Sequence, residues 1–485
     1  MPDPSTAPPD RARGARRALP ALVVALVVGA SFSTALGGGF IWDDHNLIEH
    51  NRNIRELSDI PRAFTRRFWD TGYELGVPLA NVYYRPLVTL SFAVDYQLWG
   101  GAARGFHLTN VLLHVAVSLL VYWLLLLLLR DEGATPANDN HSADSERGLG
   151  LPPAWVAAVG ALIFALHPSR AEAVAWISGR TDVMMALFFV LALGLFYRAL
   201  RDGPTPRRVA LAWLAFVCAM LCKENAVALA VVVPAADALL LGRDRRAWLR
   251  NARWSHGPLI VLTLVFVAAR VATGGERPGF DPTLLGRLNL IASSVGHYGW
   301  MFINGYQPNP AIGAGYHPGV IISGPLVGGI VTIVASLALL VFGLRRAPRV
   351  AWATTLLGAT LAPVCNIVPL ALVFLVADRF IYLPWLGVTL LVLLLLQSLP
   401  RRLSRVLLAV LLALATTWSV TVALRSRDFS SDYRFWLAAV TVDPENPLAL
   451  RQLARELAQR GRYRAAERHL MMALQHARGE VALKA

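Results

Sequence analysis

Lysine is almost missing from this chain: of 46 basic residues in 485, only Lys223 and Lys484 are lysine and the rest are arginine. Charge of either sign is scarce, at 16% of residues, where a soluble globular protein carries about a quarter. Cysteine is scarcer still. Cys218, Cys222 and Cys365 offer neither a disulfide framework nor a zinc-ligand spacing, and the first two stand one helical turn apart as packing residues. These shortages exclude a soluble enzyme of ordinary composition and a disulfide-stapled secreted domain. What replaces charge is apolar surface: 55% hydrophobic residues and a mean hydropathy of +0.49.

The apolar residues come in runs long enough, or nearly so, for membrane helices. Such runs lie at 19–36, 107–129, 153–167, 183–200, 208–222, 225–241, 257–272, 320–343, 351–370, 381–399 and 405–424, which predicts a polytopic, all-α protein of about 11 transmembrane helices. The net charge of +15 follows the same frame. Arginines gather in short loops between runs: Arg11, Arg13, Arg16 and Arg17; Arg198, Arg201, Arg207 and Arg208; Arg243, Arg245, Arg246, Arg250 and Arg253; Arg345, Arg346 and Arg349; Arg401, Arg402 and Arg405. Clusters of that kind orient a membrane protein and mark its cytoplasmic loops, so nucleic acid is not the expected partner. The first run is read as an uncleaved anchor, with Ala35-Leu36-Gly37 as the weak cleavage signal against it.

The resulting frame has a cytoplasmic tail at 1–18, a transmembrane domain at 19–424 and an external tail at 425–485. Residues 37–106 form a long external loop whose aromatics and arginines suit interfacial helices. Residues 130–151 are a polar, net acidic cytoplasmic loop expected to be disordered. Residues 273–319 form a second external loop, in which 286–304 is apolar but broken by Arg287, Asn289, His297 and Asn304, and so is interfacial or re-entrant. In the tail, Leu453, Ala454, Leu457, Gly461, Tyr463, Ala466, Leu470 and Ala473 follow Asn446-Pro447 at the spacing of a tetratricopeptide unit. Trp436, Ala439 and Pro444 precede them as a half-unit. One and a half repeats cannot stand alone, so the tail packs on the membrane domain or on a protein partner.

Polar chemistry falls on the external side. Asp43 and Asp44 follow the first apolar run, where lipid could not solvate them; they need water, a cation or a substrate. The same side holds Arg85, then His167 and Glu172, then Arg180 and Asp182, then Lys223 and Glu224, then Asp378 and Arg379. A carboxylate can deprotonate an acceptor hydroxyl, and fixed arginines or a lysine can neutralise a departing phosphate. Arginine does so as a planar fork and lysine as a point charge. Each candidate also has a structural alternative: Lys223-Glu224 as a surface ion pair, Asp378-Arg379 as a snorkelling pair, His167-Pro168 as a helix end, Arg85-Pro86 as a helix start, His107 and His114 as core residues.

Taken in order, several motifs form a recognisable series. They are Asp43-Asp44, Tyr84-Arg85-Pro86-Leu87, Gly105-Phe106-His107-Leu108-Thr109-Asn110 through His114, His167-Pro168 with Glu172, Trp176, Gly179-Arg180 and Asp182, then Cys222-Lys223-Glu224, Asp378-Arg379-Phe380-Ile381-Tyr382-Leu383-Pro384, and the repeat tail. The set resembles the transmembrane-and-tetratricopeptide O-mannosyltransferase family and its bacterial relatives, within the GT-C glycosyltransferase superfamily, from about residue 40 to 475. That resemblance implies a membrane glycosyltransferase taking a sugar from a polyprenyl-phosphate lipid on the non-cytoplasmic face, with inversion. It implies Asp43 or Asp44 as the base or acceptor-side carboxylate, with Arg379 and Lys223 on the donor phosphate. A divalent metal, which some superfamily members use and others do not, would sit at Asp43 or Asp44; no other cofactor is implied. The short tail departs from the family's long repeat arrays and leaves glycan, lipid and protein acceptors open. Two other functions fit the same composition: a transporter or flippase for a polyprenyl-linked sugar, and a scaffold acting through the tail. The first would bury ionisable residues mid-span, whereas charges here gather at span ends apart from the histidines. Arginine-for-lysine usage points to a bacterial inner membrane, with the N-terminus cytoplasmic and the C-terminus external.

Overall fold

Proline opens five of the main helices, where its missing N–H costs nothing and its fixed φ suits the first turn. A computed structural model describes residues 10–72, 83–130, 148–273, 284–303, 323–367 and 376–482. The expected disordered loop, apart from Arg130 and residues 148–151, lies outside the described residues, as do the parts of the second external loop at 274–283 and 304–319. No β-strand occurs among the described residues.

The helices are α1 (Asp10–Ser31), α2 (Pro86–Trp99), α3 (Ala103–Arg130), α4 (Pro153–Leu166), α5 (Arg170–Ala175), α6 (Arg180–Asp202), α7 (Pro206–Cys222), α8 (Leu229–Leu239), α9 (Arg245–Ala252) and α10 (His256–Thr273). There follow α11 (Leu284–Ile303), α12 (Gly324–Arg346), α13 (Pro348–Leu361), α14 (Trp385–Ser398), α15 (Arg401–Arg425), and in the tail α16 (Asp432–Val442), α17 (Pro447–Gln459) and α18 (Tyr463–Ala482). Each of the eleven apolar runs holds a helix. Five helical stretches are long and apolar enough to cross a membrane by themselves: Ala18–Gly37, Ala103–Leu129, Ile177–Asp202, Gly324–Arg346 and Arg401–Ser430. A sixth arises if α9 and α10, bent by 53°, count as one broken span. Others are cut short by the motifs themselves. His167-Pro168 ends α4 after 14 residues, and Lys223 caps α7 after 17. A 14-residue helix reaches only about 21 Å against a hydrocarbon core of about 30 Å. The chain is a multi-pass membrane protein whose polar loops dip into the ends of several helices.

Helices α1, α3, α4 and α6 build the centre. Val24, Val28, Phe32, Val117, Val121, Phe164, Phe189 and Phe196 are all but fully buried there. On α10, α12 and α15 large apolar residues stay exposed, Val261, Leu264, Val331, Val334, Val406 and Val410 among them. An apolar surface of that extent is stable only against lipid or another protein. Helix α2, in the expected interfacial loop, buries Val88, Phe92, Ala93 and Asp95 and leaves Val94, Leu98 and Trp99 exposed.

Helix α11, in the segment expected to be interfacial or re-entrant, packs on α12 by backbone-to-backbone approach. A Cβ at Gly329 would stand 1.8 Å from the Ala292 carbonyl oxygen, and one at Gly296 would stand 1.9 Å from that of Pro325. Gly329→Val should therefore force the helices apart and lower the thermal midpoint by the equivalent of about 1–3 kcal/mol. Gly358→Ala, on α13 with nothing within 4 Å, is the control and should leave the midpoint unchanged or raise it. Equal midpoints for the two variants would contradict this packing.

The tail is a helical hairpin of α17 and α18 preceded by α16, with the turn at Gly461 (φ 73°). Leu453, Ala454, Leu457, Ala466 and Ala473 close the interior as the repeat spacing predicts. Tyr463 and Leu470 face outward instead, because the hairpin has no further repeat among the described residues to cover them.

Candidate functional site

The two adjacent aspartates divide their labour. Asp44 is fully buried and its carboxylate is saturated: Oδ1 accepts from the Ser178 N–H and hydroxyl, and Oδ2 accepts from the Ile41 N–H at 3.1 Å. Burial pushes its pKa up to about 7 against those hydrogen bonds. Asp44 thus clasps the turn after α1 to the segment Ile177–Gly179.

Asp43, next along the turn, is only partly buried and makes no hydrogen bond among the described residues. Desolvation by the walls around it raises its pKa from 3.8 to about 7, and the positive charges of Arg379 and Arg85 pull the other way. A carboxyl poised near neutrality, under the charges of two arginines and with no hydrogen bond among the described residues, has the properties of a general base.

The arginines are set by carboxylates of their own. Glu172, buried on α5, binds the Arg379 guanidinium through Oε1 and its backbone N–H through Oε2 at 2.9 Å. The Arg379 guanidinium also lies 4.9 Å from the ring centroids of Trp176 and Phe380, which fixes its plane. Arg85 caps α2, pairs with Glu224 at 2.9 Å and rests 4.5 Å from the Tyr83 ring. Lys223 pairs with Asp182 at 2.6 Å and lies 4.9 Å from the Phe380 ring. Desolvation lowers the Lys223 pKa, with Asp182 opposing. The charges of Arg85, Arg379, Glu224 and Asp182 all act on Lys223, so the four segments that carry them meet in one neighbourhood.

Two expected members stand elsewhere. Arg180 is sealed in the core, held by Asp95 at 2.6 Å, the Asn110 side-chain oxygen at 2.6 Å and the Phe106 carbonyl at 2.9 Å. All its nitrogens are occupied, and it ties α2, α3 and α6 together rather than presenting a fork to a ligand. His167 is fully buried between Trp385 and Trp418, with Nδ1 on the Ser169 hydroxyl, and marks a helix end. His114 bonds the Tyr382 hydroxyl at 2.6 Å in the core, and His107 is likewise buried. Among the described residues, no three His, Cys, Asp or Glu side chains form a group that could hold a metal ion.

Other participants escaped the sequence reading. Asp432, on the first tail helix, accepts the Trp42 N–H at 2.9 Å and pairs with His45 Nε2 at 2.7 Å. That bond, with help from Glu49 and against partial burial, raises the His45 pKa to about 9. Trp42 stacks on Trp176 at 5.6 Å and on Phe435 at 5.9 Å, with Trp436 edge-on at 5.4 Å. Trp436 had a repeat position as its only signal. Asp95 had none, since its partner lies 85 residues away.

No family profile matches the chain. Among curated proteins it is similar to protein O-mannosyl-transferase TMTC4 of Homo sapiens, 31% identical over 46% of this chain and 29% of the relative. It is also similar to protein O-mannosyl-transferase Tmtc3 of Drosophila melanogaster, 31% identical over 47% of this chain and 25% of the relative. With TMTC1 of Mus musculus the identity is 34% over 43% of this chain and 21% of the relative. The resemblance drawn from the motifs therefore holds, and the chain spans less than a third of the length of the relatives it matches. Among solved structures, ArnT from Cupriavidus metallidurans bound to undecaprenyl phosphate aligns with 96% of this chain and 76% of its own, at 17% identity. Its TM-score of 0.37 is too low for any argument to rest on it.

Proposed function

We propose that this protein is a membrane glycosyltransferase of the GT-C type that moves a sugar, by resemblance mannose, from a polyprenyl-phosphate donor to an acceptor hydroxyl on the non-cytoplasmic face. The observation that carries the reading is Asp43: a carboxyl with no hydrogen bond among the described residues, raised to about 7 by burial and acted on by the charges of Arg379 and Arg85, which also act on Lys223. In the reaction Asp43 takes the acceptor hydroxyl proton as the oxygen attacks the anomeric carbon. The sugar–phosphate bond breaks from the opposite face, so configuration inverts, and the polyprenyl phosphate leaves with the bonding pair. Its negative charge is met by Arg379, Arg85 and Lys223.

Glu172, Glu224 and Asp182 keep those cations in place without competing for the proton, since each is already paired. Arg180 and His167 have structural roles. If a divalent metal takes part, Asp43 is the carboxylate able to bind it, because Asp44 is committed to Ser178 and Ile41. The basic loops put the N-terminus in the cytoplasm and the tail outside, as for a protein of a bacterial inner membrane. The acceptor is a glycan, a lipid or a protein, and the tail is the part that can engage a protein partner.

The test is transfer itself. The full chain in lipid bilayers, given polyprenyl-phosphate mannose and membrane extract as acceptor source, should consume donor and yield a mannosylated product seen by mass spectrometry. Movement of intact donor across sealed vesicles without any product would instead support a flippase. Neither outcome, with the full-length Asp43→Asn variant restoring the function of a deletion strain, would support a scaffold.

A further inference from the structure

The short junction between α15 and α16 grips the immediate neighbours of both principal site residues. Arg425, the last residue of α15, donates to Asp378 Oδ2 at 3.0 Å and to the Pro168 carbonyl at 2.5 Å. Asp378 directly precedes Arg379. Five residues on, the Ser430 carbonyl accepts the Gly39 N–H at 3.0 Å. Asp432 then holds Trp42 and His45 on either side of the aspartate pair, and Phe435 and Trp436 pack on the Trp42 ring.

Trp42 needs that hold. Its φ of 44° lies in the left-handed region, where a non-glycine residue is strained. The turn that aims Asp43 is thus not at its own backbone minimum, and contacts from outside it must supply the difference. Those contacts come largely from one strand of chain, 430–436, joined at its other end to the Arg379 loop.

We propose that the junction 425–436 is a strut that sets the placement of Asp43 relative to Arg379, with Asp432 and Arg425 as positioning residues at its two ends. The tail is then part of the active-site scaffold. An external partner that shifted α16 would act on both ends together. The kinetic side of this inference rests on the proposed transfer reaction; the structural side does not.

The experiment takes the full chain in lipid nanodiscs and compares Asp432→Ala, Arg425→Gln and, as a control on tail folding, Leu453→Ala. Hydrogen–deuterium exchange of residues 39–46 should rise about tenfold in Asp432→Ala and stay at the wild-type rate in Leu453→Ala. With polyprenyl-phosphate mannose as donor, Asp432→Ala should lower kcat about tenfold with the donor KM nearly unchanged. Arg425→Gln, acting through Arg379, should chiefly raise the donor KM, by about threefold or more. Unchanged exchange in Asp432→Ala, or raised exchange with wild-type kcat, would overturn the strut. So would a Leu453→Ala variant matching it in both readouts. A wild-type protein that transfers nothing overturns the proposed reaction instead, and the exchange comparison alone then decides the strut.

Discussion

Asp43→Asn should lower transfer at least about a hundredfold while leaving the protein as stable as wild type, the loss characteristic of a missing general base. The asparagine keeps the shape, and no hydrogen bond among the described residues is broken, since Asp43 makes none. Removing a desolvated charge costs the fold nothing. Asp44→Asn should behave differently. Both carboxylate oxygens there accept hydrogen bonds, so one of the donors from Ile41 or Ser178 would face an amide NH2 group. That variant should lose stability and activity together. Thermal midpoints measured beside initial rates separate the two cases. Comparable activity loss with equal stability loss in both would remove the distinction between base and clasp.

The second large effect concerns the core. Asp95→Asn leaves the fully buried Arg180 guanidinium without its counter-charge, and an orphaned buried charge costs about 3–5 kcal/mol. Asp95 also accepts from the Thr109 hydroxyl at 2.8 Å, so the substitution disturbs two contacts that join α2 to its neighbours. Unfolding in mixed micelles should show a midpoint far below wild type. The double variant Asp95→Leu with Arg180→Met, which removes both charges, should recover most of the loss. A double variant no more stable than Asp95→Asn alone would contradict this pairing as the source of the loss.

The legible parts of this protein are those that composition and order encode. Apolar runs mark the helices because lipid demands that backbone bonds close within each segment. The ordered motifs mark the polar groups between the helices, Asp43, Arg85, Lys223 and Arg379 among them, which the fold then brings into one neighbourhood. What stayed hidden is pairing. Nothing local separates Arg180 from Arg379: both are arginines beside a carboxylate near a span end, yet one is wrapped by Asp95 and Asn110 and the other leans over Trp176. Nor does local sequence separate Asp43 from Asp44, whose difference lies in the Ser178 contact 134 residues away. Span ends were legible as well: the apolar runs at 153–167 and 208–222 are short in the sequence itself, and the turns at His167-Pro168 and Lys223-Glu224 end their helices at Leu166 and Cys222.

The tail shows the same limit from the other side. At its repeat spacing the tail forms a helical hairpin with Leu453, Ala454 and Ala466 inside. The spacing does not show that Asp432 and Trp436 reach back to Trp42. Deleting 426–485 therefore cannot separate enzyme from scaffold, because the deletion also strips the contacts that hold the aspartate turn.

The central claim is that Asp43 is the base and that Arg379 acts on it directly, and the pH dependence of kcat/KM reads this most plainly. The wild-type rate should fall as pH drops through about 7, where Asp43 takes up a proton, rather than near the usual carboxylate range. Arg379 favours the ionised form, so its removal in Arg379→Gln should move that limb to higher pH. A wild-type limb near 4, or a limb that stays in place when Arg379 is replaced, would contradict the account.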